Sequence, residues 1–234
     1  MELLRSQDSP ISSETAIHHS SFQECPTLAL EICGQEWKIG DLMREIEKER
    51  EVMEGSGGGV TISGGEPLMQ KELSLMLEEL GKRCIHRCLD TTLHAAADVV
   101  RSVADKTDLF LVDVKVMDAA QHKRFTGVGN ELILSNIRLL AELGADFIVR
   151  IPLIEGVNAD EDNIRQTARF LARLPWSRRE VNLLPYHELG RDKHRRLASA
   201  YNASQLPMKK PDDATMKRCI AQFEELGIHA KVGG

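Results

Sequence analysis

The feature that most constrains this chain is an alternation. From Cys25 onward, short runs rich in β-branched and apolar residues take turns with longer segments whose apolar residues recur at helical spacing. Such succession marks βα units around a parallel sheet, because two parallel strands need a crossover and a helix supplies it. The strand-like runs are 59–63, 85–91, 108–115, 147–154 and 180–186, with a short one at 228–232. Helical spacing covers 39–53, 95–104, 131–143, 160–174 and 213–226, and Pro67 opens one more helix at the first-turn position where its missing N–H costs nothing. Five or six such units are too few for a closed eight-stranded barrel. The expected fold is α/β, a partial TIM-like (β/α) barrel. Residues 1–24 are polar, rich in Ser, His and Thr, and read as an irregular arm.

Composition narrows the function classes. A chain of 234 residues with 42% hydrophobic content buries roughly 70–75% of the surface its unfolded form exposes, so it needs no staples. Thirty Lys+Arg against 36 Asp+Glu give a formal charge of −6, with no basic block to track a phosphate backbone. Nucleic acid is not an expected partner. The apolar stretch 109–116 is far short of the ~18 residues of a membrane span, and the opening segment lacks an apolar signal core. A cytoplasmic protein without a membrane partner is expected. Five cysteines, odd in number and irregularly spaced, form no disulfide framework.

In α/β architectures chemistry gathers where strands end, because the loops there converge on one mouth. The polar residues of this sequence collect at those ends: Ser63-Gly64-Gly65-Glu66-Pro67, Asp90-Thr91-Thr92, Asp113-Val114-Lys115, Arg150, and Pro185-Tyr186-His187-Glu188. Each has a structural reading. Asp113 and Lys115, two apart on a strand, face the same way and can neutralise one another. Thr91 and Thr92 are ordinary turn or cap residues. A lone His187 is more often structural or solvated. Gly55–Gly59 is neither a Walker loop nor a dinucleotide fingerprint, since no Gly-Lys-Ser/Thr follows and it precedes a strand. Gly64-Gly65 differs: without Cβ atoms at a strand exit, the backbone is open to a ligand's polar head.

Gly59-Val60-Thr61-Ile62-Ser63-Gly64-Gly65-Glu66-Pro67 resembles the GGEP signature of radical S-adenosylmethionine (SAM) enzymes, in the form found in glycyl-radical-enzyme activases such as the pyruvate formate-lyase activating enzyme. HRCLDTT from His86, DLFLVDVK from Asp108, Phe125-Thr126-Gly127, VRIPLIEGVNADEDN from Val149 and NLLPYHELG from Asn182 extend the likeness in the same order. The resemblance implies a radical SAM type of partial barrel and a SAM-dependent oxidoreductase that places a radical on a glycine of a partner enzyme such as pyruvate formate-lyase. It implies an electron donor such as flavodoxin or ferredoxin. Gly64, Gly65, Glu66 and Pro67 match the segment that binds SAM's amino-acid end through backbone groups. Asp90, Asp113, Val114, Lys115, Arg150 and His187 match further pocket positions, His187 beside the ribose. Asp113 and Lys115 are the catalytic-site candidates, and Asp90, Thr91 and Asp113 match a monovalent-cation site.

The family's [4Fe–4S] cluster sits on a Cys-x3-Cys-x2-Cys loop after the first strand, and this sequence has none. Its cysteines are at 25, 33, 84, 88 and 219. Cys84 and Cys88 follow GGEP, and as strand residues would stand ~13 Å apart; both read as buried or half-buried thiols. Cys25-Pro26 resembles the end of a ferredoxin-like insert, but counting back from it finds Ser21, His18 and Thr15 where thiolates belong. The expected organisation is therefore an arm at 1–24, an insert remnant at 25–38 and a partial barrel at 39–234. The N-terminal cluster-binding block and first strand are expected to be missing, and the 59–63 strand to stand at an edge. The leading expectation is an activase-family protein without activity as this chain. The alternatives are a cluster-less protein that binds SAM or a partner, and a Schiff-base lyase using Lys115.

Overall fold

The computed structural model describes residues 35–187 and 208–233. The polar arm, Cys25, Cys33, the His18–His19 pair, most of the insert remnant and the 188–190 end of the last motif lie outside the described residues. The described chain runs α1 (Ile39–Glu47), α2 (Arg50–Ser56), β1 (Gly59–Ile62), α3 (Leu73–Lys82), β2 (His86–Thr91), α4 (Ala97–Ala104), β3 (Leu109–Asp113), α5 (Ala119–Thr126), α6 (Glu131–Glu142), β4 (Phe147–Leu153), α7 (Glu161–Ala172), β5 (Glu180–Pro185), α8 (Asp213–Glu224) and β6 (His229–Val232). All six strands are parallel and lie in chain order, β1 to β6. The result is the expected open partial barrel. Among the described residues β1 stands at its edge, paired only with β2.

The two faces of the sheet differ because the sequence alternates. One register row carries Ile62, Leu89, Phe110 and Phe147, and another Thr91, Val112, Val149, Val181 and Ala230; all are buried. They share a core with Leu77 and Leu80 of α3, Val100 of α4, Ile137 and Leu140 of α6, Leu171 of α7 and Phe223 of α8. Trp176 closes the layer, stacked on Phe147 at 4.8 Å and donating its indole N–H to the Phe147 carbonyl at 3.0 Å. The opposite face carries the in-register residues Asp113, Arg150 and Asn182 and, on β2, Cys88 and Asp90. This polar face is the one turned toward the barrel interior.

Several expectations are corrected. The helix expected over 39–53 is two helices. After Ile46 the chain offers only charged residues up to Arg50, and α2 buries nothing, with Val52 65% exposed. Pro67 opens a 3-10 turn, Pro67–Met69, rather than the helix itself, which starts at Leu73. The strand expected over 108–115 ends at Asp113, so Lys115 lies beyond it. Helix α5, capped by the Asp118 carboxylate accepting from Gln121 N–H, was not expected, because its apolar content is too low to show a periodic stripe. No helix among the described residues is long and apolar enough to cross a membrane.

Gly59 is required by the sheet. A Cβ there would lie 2.2 Å from the His86 carbonyl oxygen, so only glycine allows β1 to approach β2 this closely. Gly57, with φ of +64°, ends α2 in the left-handed conformation.

Candidate functional site

The site is built from charges that the sheet register brings together. Asp113 and Arg150 are register partners, and Asp90 lies on the neighbouring strand. The Arg150 guanidinium fills the space between the carboxylates. Its Nε and Nη2 donate to Asp113 Oδ1 at 3.2 and 2.9 Å, and Nη2 also donates to Asp90 Oδ1. Ser63 Oγ donates to the other Asp90 oxygen at 3.2 Å, tying the end of β1 to this cluster. Lys115 Nζ reaches Asp113 Oδ2 at 3.4 Å, a looser pair with the lysine side chain 36% exposed. Burial pushes the Asp90 carboxyl up; Arg150 opposes this and Asp113 reinforces it.

The GGEP segment is held from beneath. The Glu66 carboxylate accepts from Leu68 N–H at 3.2 Å, Thr91 Oγ1 at 2.5 Å, Thr92 N–H at 2.9 Å and Thr92 Oγ1 at 2.5 Å. Its side chain is thus spent on fastening the turn to the end of β2. Thr91 and Thr92 play the structural part foreseen for them, and the Thr91 hydroxyl points at Glu66. The backbone above stays open: Gly64 has φ of +142°, and a Cβ on Gly64 or Gly65 would meet nothing within 4 Å. Such an uncovered turn suits a ligand that binds main-chain groups. Pro67 is buried behind it.

Val114 donates its N–H to the Arg150 carbonyl at 2.9 Å and its side chain is buried, which leaves its carbonyl as the only group to offer a ligand. His187 is exposed just beyond β5. Four buried asparagines that sequence reasoning passed over position the loops. Asn136 Nδ2 donates to the Leu93 and Ala95 carbonyls, holding Leu93 at its φ of +59°. Asn158 Nδ2 joins the Lys115 and Pro152 carbonyls at 2.8 and 2.7 Å, while Asn130 and Asn163 fasten the stretch around Val116 and Met117. A lone Asn inside an apolar helical run, as at Asn136, was the available signal.

The cysteines do not assemble. Cys84 is exposed in a left-handed turn after α3, not in a strand and not buried, which corrects the reading of it as a sheltered thiol. Cys88 is buried on β2, and Cys219 is buried in α8. Burial pushes both of those thiols up, Cys219 to about 11. Among the described residues no three His, Cys, Asp or Glu side chains could share a metal ion. These residues do not fit an iron–sulfur cluster, whereas the open glycine turn and the charge cluster fit a zwitterionic ligand such as SAM.

Comparison with known proteins identifies the family. Residues 25–171 match the family model described as the Radical SAM superfamily. The trans-4-hydroxy-L-proline dehydratase activating enzyme of Clostridioides difficile is 38% identical over 88% of this chain and 68% of its own length. The pyruvate formate-lyase 2-activating enzyme of Escherichia coli K12 is 34% identical over 90% of this chain and 71% of its length. The crystal structure of a domain of pyruvate-formate lyase-activating enzyme from Bacteroides vulgatus superposes with a TM-score of 0.65 at 44% identity, covering 76% of this chain and 99% of that one. The chain spans about two thirds of the length of the curated relatives it matches. By these matches this chain belongs to the radical SAM superfamily, among the glycyl-radical-enzyme activating enzymes.

Proposed function

We propose that this chain is the SAM- and partner-binding part of a glycyl-radical-enzyme activase, and that these 234 residues do not by themselves cleave SAM. The carrying observation is the Asp90–Arg150–Asp113 cluster beside the open Gly64–Gly65 turn. SAM, when bound, supplies the 5′-deoxyadenosyl group that its family uses as a hydrogen-abstracting radical. The backbone of Gly64 to Pro67 receives its amino-acid end. Lys115, only loosely held by Asp113, is the cation free to turn toward the SAM carboxylate. Arg150 fixes the two aspartates so that one net charge pattern faces the sulfonium. His187 borders the ribose. A monovalent cation at Asp90, Thr91 and Asp113 requires Arg150 to withdraw and the Thr91 hydroxyl to leave Glu66. The partner is a glycyl radical enzyme, the class named for the curated relatives, and the setting is cytoplasmic.

The proposed lack of activity rests on the sequence, which holds no Cys-x3-Cys-x2-Cys loop. The Schiff-base reading of Lys115 gains no support, because its amine is ion-paired and over a third exposed rather than desolvated. Calorimetry with SAM tests the binding: a saturable heat that Arg150→Ala weakens is expected, and no heat would overturn it. Anaerobic iron–sulfur reconstitution followed by dithionite tests the inactivity. The expected result is no 5′-deoxyadenosine above background, and its accumulation would overturn that half of the proposal.

A further inference from the structure

One row of side chains crosses four strands on the inner face of the sheet. The register pairs Asp113 with Arg150, Arg150 with Asn182, and Asn182 with Lys231, and register partners in a parallel sheet project to the same face. Asp113 and Arg150 satisfy each other, and Lys231 Nζ pairs with Glu180 at 2.7 Å. Asn182 is only 3% exposed, yet its Oδ1 is buried without a hydrogen-bond partner among the described residues. A buried amide oxygen left without a donor costs about 1–3 kcal/mol, so an acceptor in this state next to a binding cluster stands to gain from a ligand that completes it.

The other orphaned amides do not share this setting. Asn136 already uses its NH2 to hold two loop carbonyls, and Gln222 lies on α8, away from the charge cluster. Asn182 also sits deeper than the SAM-binding turn. It lies three residue steps before the end of β5 at Pro185, about 10 Å at 3.3 Å per residue, whereas Gly64 and Gly65 lie beyond the end of β1. A side-chain amide presents a donor and an acceptor in one plane, the same pair that a peptide unit presents as N–H and C=O.

We infer that Asn182 is a specificity residue for the partner's glycine-bearing segment, its Oδ1 accepting a main-chain N–H of an extended peptide that enters the inner face beside Arg150. The inference rests on the SAM-site reading and extends it to the second ligand. The peptide completes a hydrogen bond that the described residues do not make. SAM has no part in that bond.

The test uses the full chain loaded with SAM and a library of acetylated, amidated seven-residue peptides with a fixed central glycine. Retained peptides are identified by mass spectrometry, and the best is resynthesised for titration. Asn182→Leu should weaken that peptide about 5–30-fold, the equivalent of 1–2 kcal/mol, and Asn182→Ala should do the same. SAM affinity measured by calorimetry should be unchanged in both. The unliganded Asn182→Leu protein should unfold at an equal or higher urea midpoint, because the orphaned acceptor is gone; a merely structural Asn182 would lower it. Unchanged peptide affinity, a parallel loss of SAM affinity, or retention of no peptide by the SAM-loaded wild type would each overturn the inference. Absence of SAM heat from the wild type would instead count against the underlying site reading.

Discussion

Arg150 and Asp113, opposite one another on β4 and β3, share two hydrogen bonds through a single carboxylate oxygen, at 3.2 and 2.9 Å. The same guanidinium reaches Asp90, so one cation holds two half-buried anions on adjacent strands. Arg150→Ala leaves those anions facing each other. A loss of about 2–3 kcal/mol is expected from urea unfolding, below the 3–5 kcal/mol of a fully buried pair because each partner keeps some solvent contact. Arg150→Lys should recover only part of it, since a point charge cannot span both carboxylates as the planar fork does. Equal stability of Arg150→Ala and wild type would show that the pairing is incidental.

Asp90 gives a pH signature. Burial holds its carboxyl above the ordinary 3.8, against the pull of Arg150, so the folded state keeps this proton more tightly than the unfolded chain. Stability from this group is therefore full at low pH, declines as pH rises from the ordinary aspartate value through the raised one, and is level above it. Asp90→Asn should remove that decline. Urea midpoints taken from pH 3.5 upward check it, and identical pH slopes for the two proteins would contradict it.

Glu66 is the anchor of the glycine turn. Replacing one carboxylate oxygen with an NH2 in Glu66→Gln leaves at least one of the Thr91 and Thr92 donors unmatched. About 1–3 kcal/mol of stability should be lost. SAM heat should fall as well, although the Glu66 side chain does not face the open side of the turn. A variant that melts lower yet binds SAM as before would separate the anchor from the site.

Gly59→Ala decides between two opposed effects. In an unconstrained strand the exchange stabilises by ~0.4–1 kcal/mol through unfolded-chain entropy. Here the new methyl meets the His86 carbonyl at 2.2 Å, so β1 must move off β2, and a net loss of about 1–3 kcal/mol is expected. The thermal midpoint reads the sign directly.

Thiol labelling separates the described cysteines. In a chain carrying Cys25→Ser and Cys33→Ser, Cys84 should react with a chromogenic disulfide under native conditions. Cys88 and Cys219 should wait for unfolding, since burial denies both access and thiolate. Rapid labelling of three thiols in the native protein would contradict the placement of Cys88 and Cys219.

Period and punctuation made most of the fold legible. The runs around Val60, Leu89, Phe110, Val149 and Leu183 are short, apolar and flanked by turn residues, and each became a strand within a residue or two of its expected bounds. Failure came where a local pattern lacked a tertiary counterpart. Val52 and Met53 continue the helical spacing of α1, but the four charged residues 47–50 interrupt it, and α2 lays only Met53 part-way against the core while Val52 stays 65% exposed. Helix α5 shows the converse, a nearly stripe-less segment kept helical by the Asp118 cap and by His122 buried against the Val128 carbonyl.

By itself the sequence determined the architecture, the strand-end location of Asp90, Asp113, Lys115 and Arg150, and the absence of a cluster-ligating cysteine loop, because all three depend on residue type and spacing along the chain. Only the tertiary structure decided which charges pair. Asp113 and Lys115 read as the natural couple two residues apart and do pair, loosely, at 3.4 Å, but strand register sets Arg150, 37 residues away, closer on the other oxygen of Asp113. Likewise the sequence leaves the Glu66 side chain without a role, its segment being read through its backbone, and the fold makes it an anchor, since the end of β2 delivers Thr91 and Thr92 to it. Asn182, an unremarked polar residue in an apolar strand, shows an unmet hydrogen bond only when its neighbours on β4 and β6 are in place. Spacing specifies what a segment is; register and burial specify whom its side chains meet.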